Sequence, residues 1–209
     1  SGEYIVEEGA TLHIEEGVKI IAVYDDIADY ILVKQGGKIN AVGTPDKPIV
    51  MTSEKEEPGA WGGIHICGRA HTNAEGGKGS SEIGGAVYGG NDDADNSGTL
   101  QYIRLEYTGF AFDEEHEANG ISFYSVGNGT IVDHCQAYKG SDDGFEFFGG
   151  SVNVSNLVAV SCSDDSFDWT EGWNGKGTNL VAYQEAESTL GYDCDCLMEC
   201  DNNGSNNAA

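Results

Sequence analysis

The chain repeats itself at short range. Asp142-Asp143-Gly144-Phe145-Glu146-Phe147 returns 22 residues later as Asp164-Asp165-Ser166-Phe167-Asp168-Trp169. The flanks hold the same offset, placing Ala137 on Ala159 and Tyr138 on Val160. A weaker copy, Asp195-Cys196-Leu197-Met198-Glu199-Cys200, follows 31 residues after the second, with "EAESTLGYD" as the extra loop. Upstream, Asn119-Gly120-Ile121-Ser122-Phe123 matches at an offset of 24, and Gly62-Gly63-Ile64-His65-Ile66 has the same shape. Near the N-terminus, "VEEGATLHI" from Val6 and "VKQGGKINA" from Val33 are 27 apart.

Such periods, with glycine-rich corners and short alternating stretches, describe a β-solenoid. The Leu-x-x-Leu-x-Leu frame of leucine-rich repeats is absent, and no ten-residue helical periodicity is found. "TLHIEEGVKIIAV", "LQYIRLEY" and "VNVSNLVAV" alternate with period two, as strands do. The expected fold is all-β, a right-handed parallel β-helix with coils of about 22–31 residues, as one domain over residues 1–209.

Alternation assigns faces. Phe145 and Phe147 share one side of their strand and Glu146 takes the other; Phe167 and Trp169 oppose Asp168. Four buried aromatics cost far less than two buried carboxylates. Ile64, Ile121, Phe145, Phe167 and Met198 are therefore expected to stack inward, with His65, Ser122, Glu146, Asp168 and Glu199 as an outward row.

The balance of 36 acids against 10 bases gives a net charge of −26. That field repels nucleic acid and anionic membranes and suits divalent cations as partners. No stretch reaches the 18 consecutive apolar residues of a membrane span, so no membrane insertion is expected. Six cysteines are compatible with an oxidising compartment. No pair of CxxC or HxxxH elements makes a zinc site.

"YIVEEGATLHIEEGVKI", "GGKINAVGTPDKPIVMTS", "WGGIHICGRAHTN", "YGGNDDADNSGTLQYIRLEYTGFAF", "SVGNGTIVDHCQAYKGSDDGFEFFGGSVNVSNLVAV" and "DDSFDW" resemble a bacterial family of secreted β-helix-repeat proteins. Its members occur in Bacteroidota and marine gammaproteobacteria, often as lipoproteins of unassigned function. The resemblance covers nearly the whole chain. It implies a right-handed parallel β-helix in an extracellular or outer-surface location, and no particular reaction. Members usually continue past the equivalent of "MECDNNGSNN", which implies an N-terminal part of a longer architecture. Cys194, Cys196 and Cys200 lie outside the family pattern.

Three functions fit the acids. Carboxylates one coil apart repel by roughly 1 kcal/mol in bulk water and ~3.5 kcal/mol at an effective dielectric near 20. If loops crowd the corner, a cation or raised pKa values are needed. Oxygen-only ligands favour Ca²⁺. Asp142, Asp143, Asp164 and Asp165, with Asp195, are the expected ligands, and Asp92 and Asp93 in "NDDADNSG" form a second, weaker candidate.

A polysaccharide-active enzyme, pectinase-like lyase or hydrolase, is the second reading, because "SDDGFE" resembles the paired aspartates of β-helix pectinases. Gly-His-Gly and Arg-x-Lys elements are missing, and Arg69, Arg104 and Lys139 are the bases near the repeats. The third reading is a structural, adhesive or glycan-binding rod, stacking on copies of itself through its end coils. Trp173 in "EGWNGKG" is the expected glycan-stacking residue, whereas Trp169 faces inward and Trp61 would serve if exposed. Cys162 and Cys194 fall on adjacent coils and form the candidate disulfide. His65, His116 and His134 are expected as hydrogen-bonded structural residues, and Cys135 as a small apolar filler.

Overall fold

The computed structural model describes residues 1–25, 27–113 and 116–203. Seven strands, Glu3–Val6, Tyr30–Val33, Ile64–Cys67, Ile121–Tyr124, Phe145–Phe148, Phe167–Thr170 and Glu199–Cys200, lie side by side in that order. Every neighbouring pair is parallel. A second, ten-stranded sheet, parallel in the same way, closes the other walls of the coil. The chain is a right-handed parallel β-helix.

The repeat offsets are the register. Val6 pairs with Val33, Phe145 with Phe167, Glu146 with Asp168, and Asp168 with Glu199. Ile64 and its partner Ile121, however, are 57 positions apart in numbering. Part of that excess is a strap, residues 68–97, carrying an antiparallel pair of Gly79–Ser80 with Val87–Tyr88. The strap crosses several coils. Gln35 Nε2 donates to its Gly68 and Gly89 carbonyls, and the hydroxyl of the neighbouring Tyr88 donates to Glu171 Oε1 at 3.0 Å.

The long strands Gly98–Glu106 and Ile131–Tyr138 bend in the middle, so each spans two walls. The bend sits at Tyr102 and His134, with φ of 51° and 52°, and Asn156 and Asn179 repeat it with 54° and 55°. Asparagine tolerates this left-handed conformation better than most residues. Stacking links the corners. The Tyr102 and His134 rings lie 4.5 Å apart, Asn179 Nδ2 donates to Asn156 Oδ1, and Asn156 Nδ2 donates to Asp133 Oδ1.

Inside, like residues stack on like. Phe145 lies over Phe167 at 5.6 Å, Phe123 over Phe147 at 5.0 Å, and Phe147 against Trp173 at 4.6 Å. Ile64, Ile121, Phe145 and Phe167 are buried in this core as expected. Met198 is not. It is 46% exposed, because its strand is shortened to Glu199–Cys200 and the described chain places no further coil over it. Trp61 is buried and donates Nε1–H to the Glu106 carbonyl, so its ring offers no outer platform.

A column of small residues precedes the inward stack, and coil spacing explains it. A Cβ on Gly120 would lie 2.3 Å from the Gly144 carbonyl oxygen, and one on Gly144 would lie 2.7 Å from that of Ser166. Gly144→Ala is expected to push two coils apart and to lower stability by ~1–3 kcal/mol. Urea unfolding measures this, and an unchanged midpoint would contradict the tight stacking.

Candidate acidic cation site

His65, Ser122, Glu146, Asp168 and Glu199 pair in register across the first sheet, and Leu32 extends the row beyond His65. Much of it is hidden from solvent. His65 and Ser122 are fully buried and Asp168 is 9% exposed. The strap is the reason. Its Ile83, Ala86 and Tyr88 pack with Tyr30, Leu32, Cys67, Tyr124 and Phe148 of the sheet into a second apolar cluster outside the coil. The row's first half is apolar or neutral and sealed; its second half is acidic and opens into a cavity.

That cavity, of about 270 Å³, is lined by Glu82, Glu117, Asp142, Asp143, Glu146, Asp164, Asp168 and Glu199. Glu82 comes from the strap and Glu117 from the loop before Ile121; the rest come from three successive coils. All eight lining residues are acids. One oxygen each from Asp142, Asp143 and Asp164 lie within 4.8 Å of one another, and the same holds for Asp143, Glu146 and Asp168 and for Asp165, Asp168 and Glu199.

The shifts follow from burial and from like charge. Burial first, then Glu117 and Asp164, pushes the Asp142 carboxyl up to about 7. Burial followed by the charge of Asp142 holds Asp143 well above the usual range, and burial followed by Asp143 and Glu82 does so for Glu146. Asp168 rises to about 6, mainly through burial. Glu82 and Asp164 are raised for the same leading reason, and Glu199 is raised first by its hydrogen bond with Asp165.

The two aspartates of each repeat do different work. Asp143 Oδ1 accepts the Asp165 backbone N–H at 2.8 Å, and Asp165 Oδ1 accepts that of Cys196 at 2.8 Å. The second aspartate thus ties its coil to the next; Asp142, Asp164 and also Asp143 line the cavity, and Asp165 is not among its lining residues. Asp195 stands apart, grouped with Asp165 and Cys196. Asp92 and Asp93 also lie elsewhere, in the strap. Asp92 accepts the Ala94 N–H, and Asp93 Oδ1 accepts from His71 through N–H and Nδ1. Glu82 and Glu117 carried no repeat signal, whereas Asn119 falls on Asp143 in the copy 24 residues upstream. Asn119 Nδ2 donates to Ser122 Oγ at 3.0 Å and to Glu146 Oε2.

Other expectations change. Trp173 is half-buried: one face of its ring stacks on Phe147, and Nε1–H donates to the Val152 carbonyl at 3.2 Å. Cys162 and Cys194 are free thiols, the first buried and the second half-buried, although Cys194 is near enough to act on Cys162 electrostatically. The three bases near the repeats are paired away from the cavity: Arg69 with Glu8, Arg104 with Glu106, and Lys139 with Glu185.

A comparison with curated proteins gives no match. The family model described as a pectate-lyase-like β-helix domain matches residues 1–209. With its parallel coils, inward aromatic stack and outward acidic row, the chain belongs to the pectate-lyase-like β-helix domain family.

Proposed function

We propose that this chain is a calcium-stabilised β-helix of the cell exterior, whose acidic cavity binds a divalent cation that clips strap, loop and coils together. One observation carries the reading: eight carboxylates from five chain segments line one cavity, with no basic residue among the described lining residues. Carboxylates held this close must bind protons or a cation. An all-oxygen donor set suits Ca²⁺, which accepts 6–8 oxygens in flexible geometry. The ion's place is the coil corner of Asp142, Asp143 and Asp164. A lone Ca²⁺ there would be reached by groups from two coils, with Glu117 and Glu82 facing it across the cavity.

The family description supports a second reading, a polysaccharide-active protein. A lyase of this kind needs a base beside the metal. The three candidate bases sit in ion pairs elsewhere, which is why cation binding is placed first. Release of reducing ends from a panel of acidic and neutral glycans would reverse that order.

Calcium should raise the melting temperature relative to chelator at neutral pH. At one hundred times Kd the stabilisation is about 2.7 kcal/mol, or about 5–10 °C for a chain of this size. Identical melting curves with Ca²⁺ and with EDTA would contradict the proposal.

The pH dependence has a definite sign. In the folded chain the Asp142 carboxyl titrates near 7, against 3.8 for an ordinary aspartate. The folded state therefore holds protons that the unfolded chain has released, and stability falls as pH rises between those values. In chelator, the melting temperature should drop from pH 4 to pH 7 through this group. With excess Ca²⁺ the drop should be reduced or reversed, since the ion takes the protons' place. A chelator-treated protein that gains stability over this interval would contradict the account.

A further inference from the structure

We propose that Cys162 and Cys194 are the two ends of a latent cross-link, a dithiol that an external disulfide oxidises to anchor the last described coil on the coil below it. Neither cysteine lines the acidic cavity, and the link needs no ion there.

The burial pattern shows what the link would hold. Phe167 and Asp168 are the last buried residues of the described chain; from Trp169 to Asn203 every residue is half-buried or exposed. Past Tyr183 the regular structure is one short helix, Glu187–Leu190, and one short strand, Glu199–Cys200. With so little apolar contact, this segment is held by hydrogen bonds, and segments held that way open locally at low cost.

Those hydrogen bonds bring the two thiols side by side. The Tyr192 hydroxyl donates to the Ser161 carbonyl at 2.8 Å, and the Asp195 N–H donates to the Ser163 carbonyl at 3.2 Å. Contacts on both sides thus bracket Cys162 and Cys194. The 31-residue offset sets Cys194 against Ser163, one place from Cys162. Diagonal neighbours on adjacent coils have Cα atoms ~6 Å apart, within the span of about 4.4–6.8 Å that a disulfide bridges. Residues 161–164 bend and form no strand, so alternation does not send neighbouring side chains to opposite faces. The other thiols of the segment are held elsewhere. The Cys196 N–H donates to Asp165 Oδ1 while its Sγ lies 3.8 Å from Asp195 Oδ1, and Cys200 pairs with Trp169 in the first sheet. One coil earlier, 22 residues before Cys162, the same corner carries Gly140 and no thiol.

Exposure sets the order of the chemistry. Cys194 is half-buried and meets an external disulfide first, whereas Cys162 is fully buried. As a thiolate, Cys194 attacks one sulfur of oxidised glutathione, displaces one glutathione thiolate and is left as a mixed disulfide. Cys162 then loses its proton to water and attacks the Cys194 sulfur, displacing the second glutathione thiolate. The protein gives up two electrons and two protons, and one glutathione disulfide becomes two thiols.

The full chain is equilibrated in chelator with oxidised or with reduced glutathione, its free thiols are alkylated, and the unreduced digest is mapped by mass spectrometry. The expected result is loss of two of the six free thiols and one linked peptide joining Cys162 to Cys194. Chymotrypsin should then cut at Tyr183, Leu190, Tyr192 or Leu197 at least ~10-fold more slowly than in the reduced chain, and dithiothreitol should restore the rate. Cys194→Ser should lose both the linked peptide and the protection, while Cys196→Ser and Cys200→Ser should keep both. Cys162→Ser would put a hydroxyl at a buried position, so Cys194→Ser carries the comparison, and the wild-type map stands without any variant. Six free thiols after oxidation, or Cys194 joined to Cys196 or Cys200, overturn the cross-link. A Cys162–Cys194 link that leaves the cleavage rate unchanged overturns its anchoring role.

Discussion

Parallel stacking in register is the constraint on which the rest depends. Each strand of the first sheet lies about 4.8 Å from the next, and the pairing places Glu146 beside Asp168 and Asp168 beside Glu199. Like therefore meets like along the whole solenoid. For Phe145 over Phe167 this is favourable, because aromatic rings gain from offset contact and burial. For the carboxylates it is unfavourable at every step. The same backbone geometry builds the core and charges the outer face.

The strap turns that charge from a tolerable surface property into a chemical demand. Without it, the row would be washed by water and its repulsion screened. With Tyr88, Ile83 and Ala86 packed over the sheet, water is excluded from half of the row, and Glu82 is brought down onto the other half. The strap is anchored at distant points, by the Thr72 and Tyr88 hydroxyls on Glu171 and by Asn73 on Asn202. A cation in the cavity would act along the same seam. Strap closure and ion binding are in this view one event seen from two sides.

Much of this was legible in the sequence, for a physical reason. A solenoid's contacts recur at nearly constant separation, so offsets of 22 and 31 residues translate directly into the pairs Glu146–Asp168 and Asp168–Glu199. What escaped was everything without a period. The strap lies between Ile64 and Ile121, and its partners are set by side-chain shape across 83 residues from Tyr88 to Glu171. Glu82 and Glu117 therefore gave no signal, whereas the repeat itself paired Glu146 with Asp168. Trp173 looked like a surface aromatic because its glycine-rich segment resembles a turn, yet its ring is half-buried and stacks on Phe147. Met198 failed in the opposite sense: it holds an inward position by offset, but burial needs a coil on both sides.

The central claim is that a cation, and not protons alone, neutralises the acids that coil stacking and the strap force together. The most direct measurement is long-wavelength anomalous diffraction from crystals grown at neutral pH with Ca²⁺. The account predicts anomalous density bonded to Asp143 at about 2.3–2.6 Å, with Asp142 and Asp164 completing the corner. A cavity holding only water, with Asp142, Asp143, Glu146 and Asp168 hydrogen-bonded to one another and no anomalous signal, would contradict it.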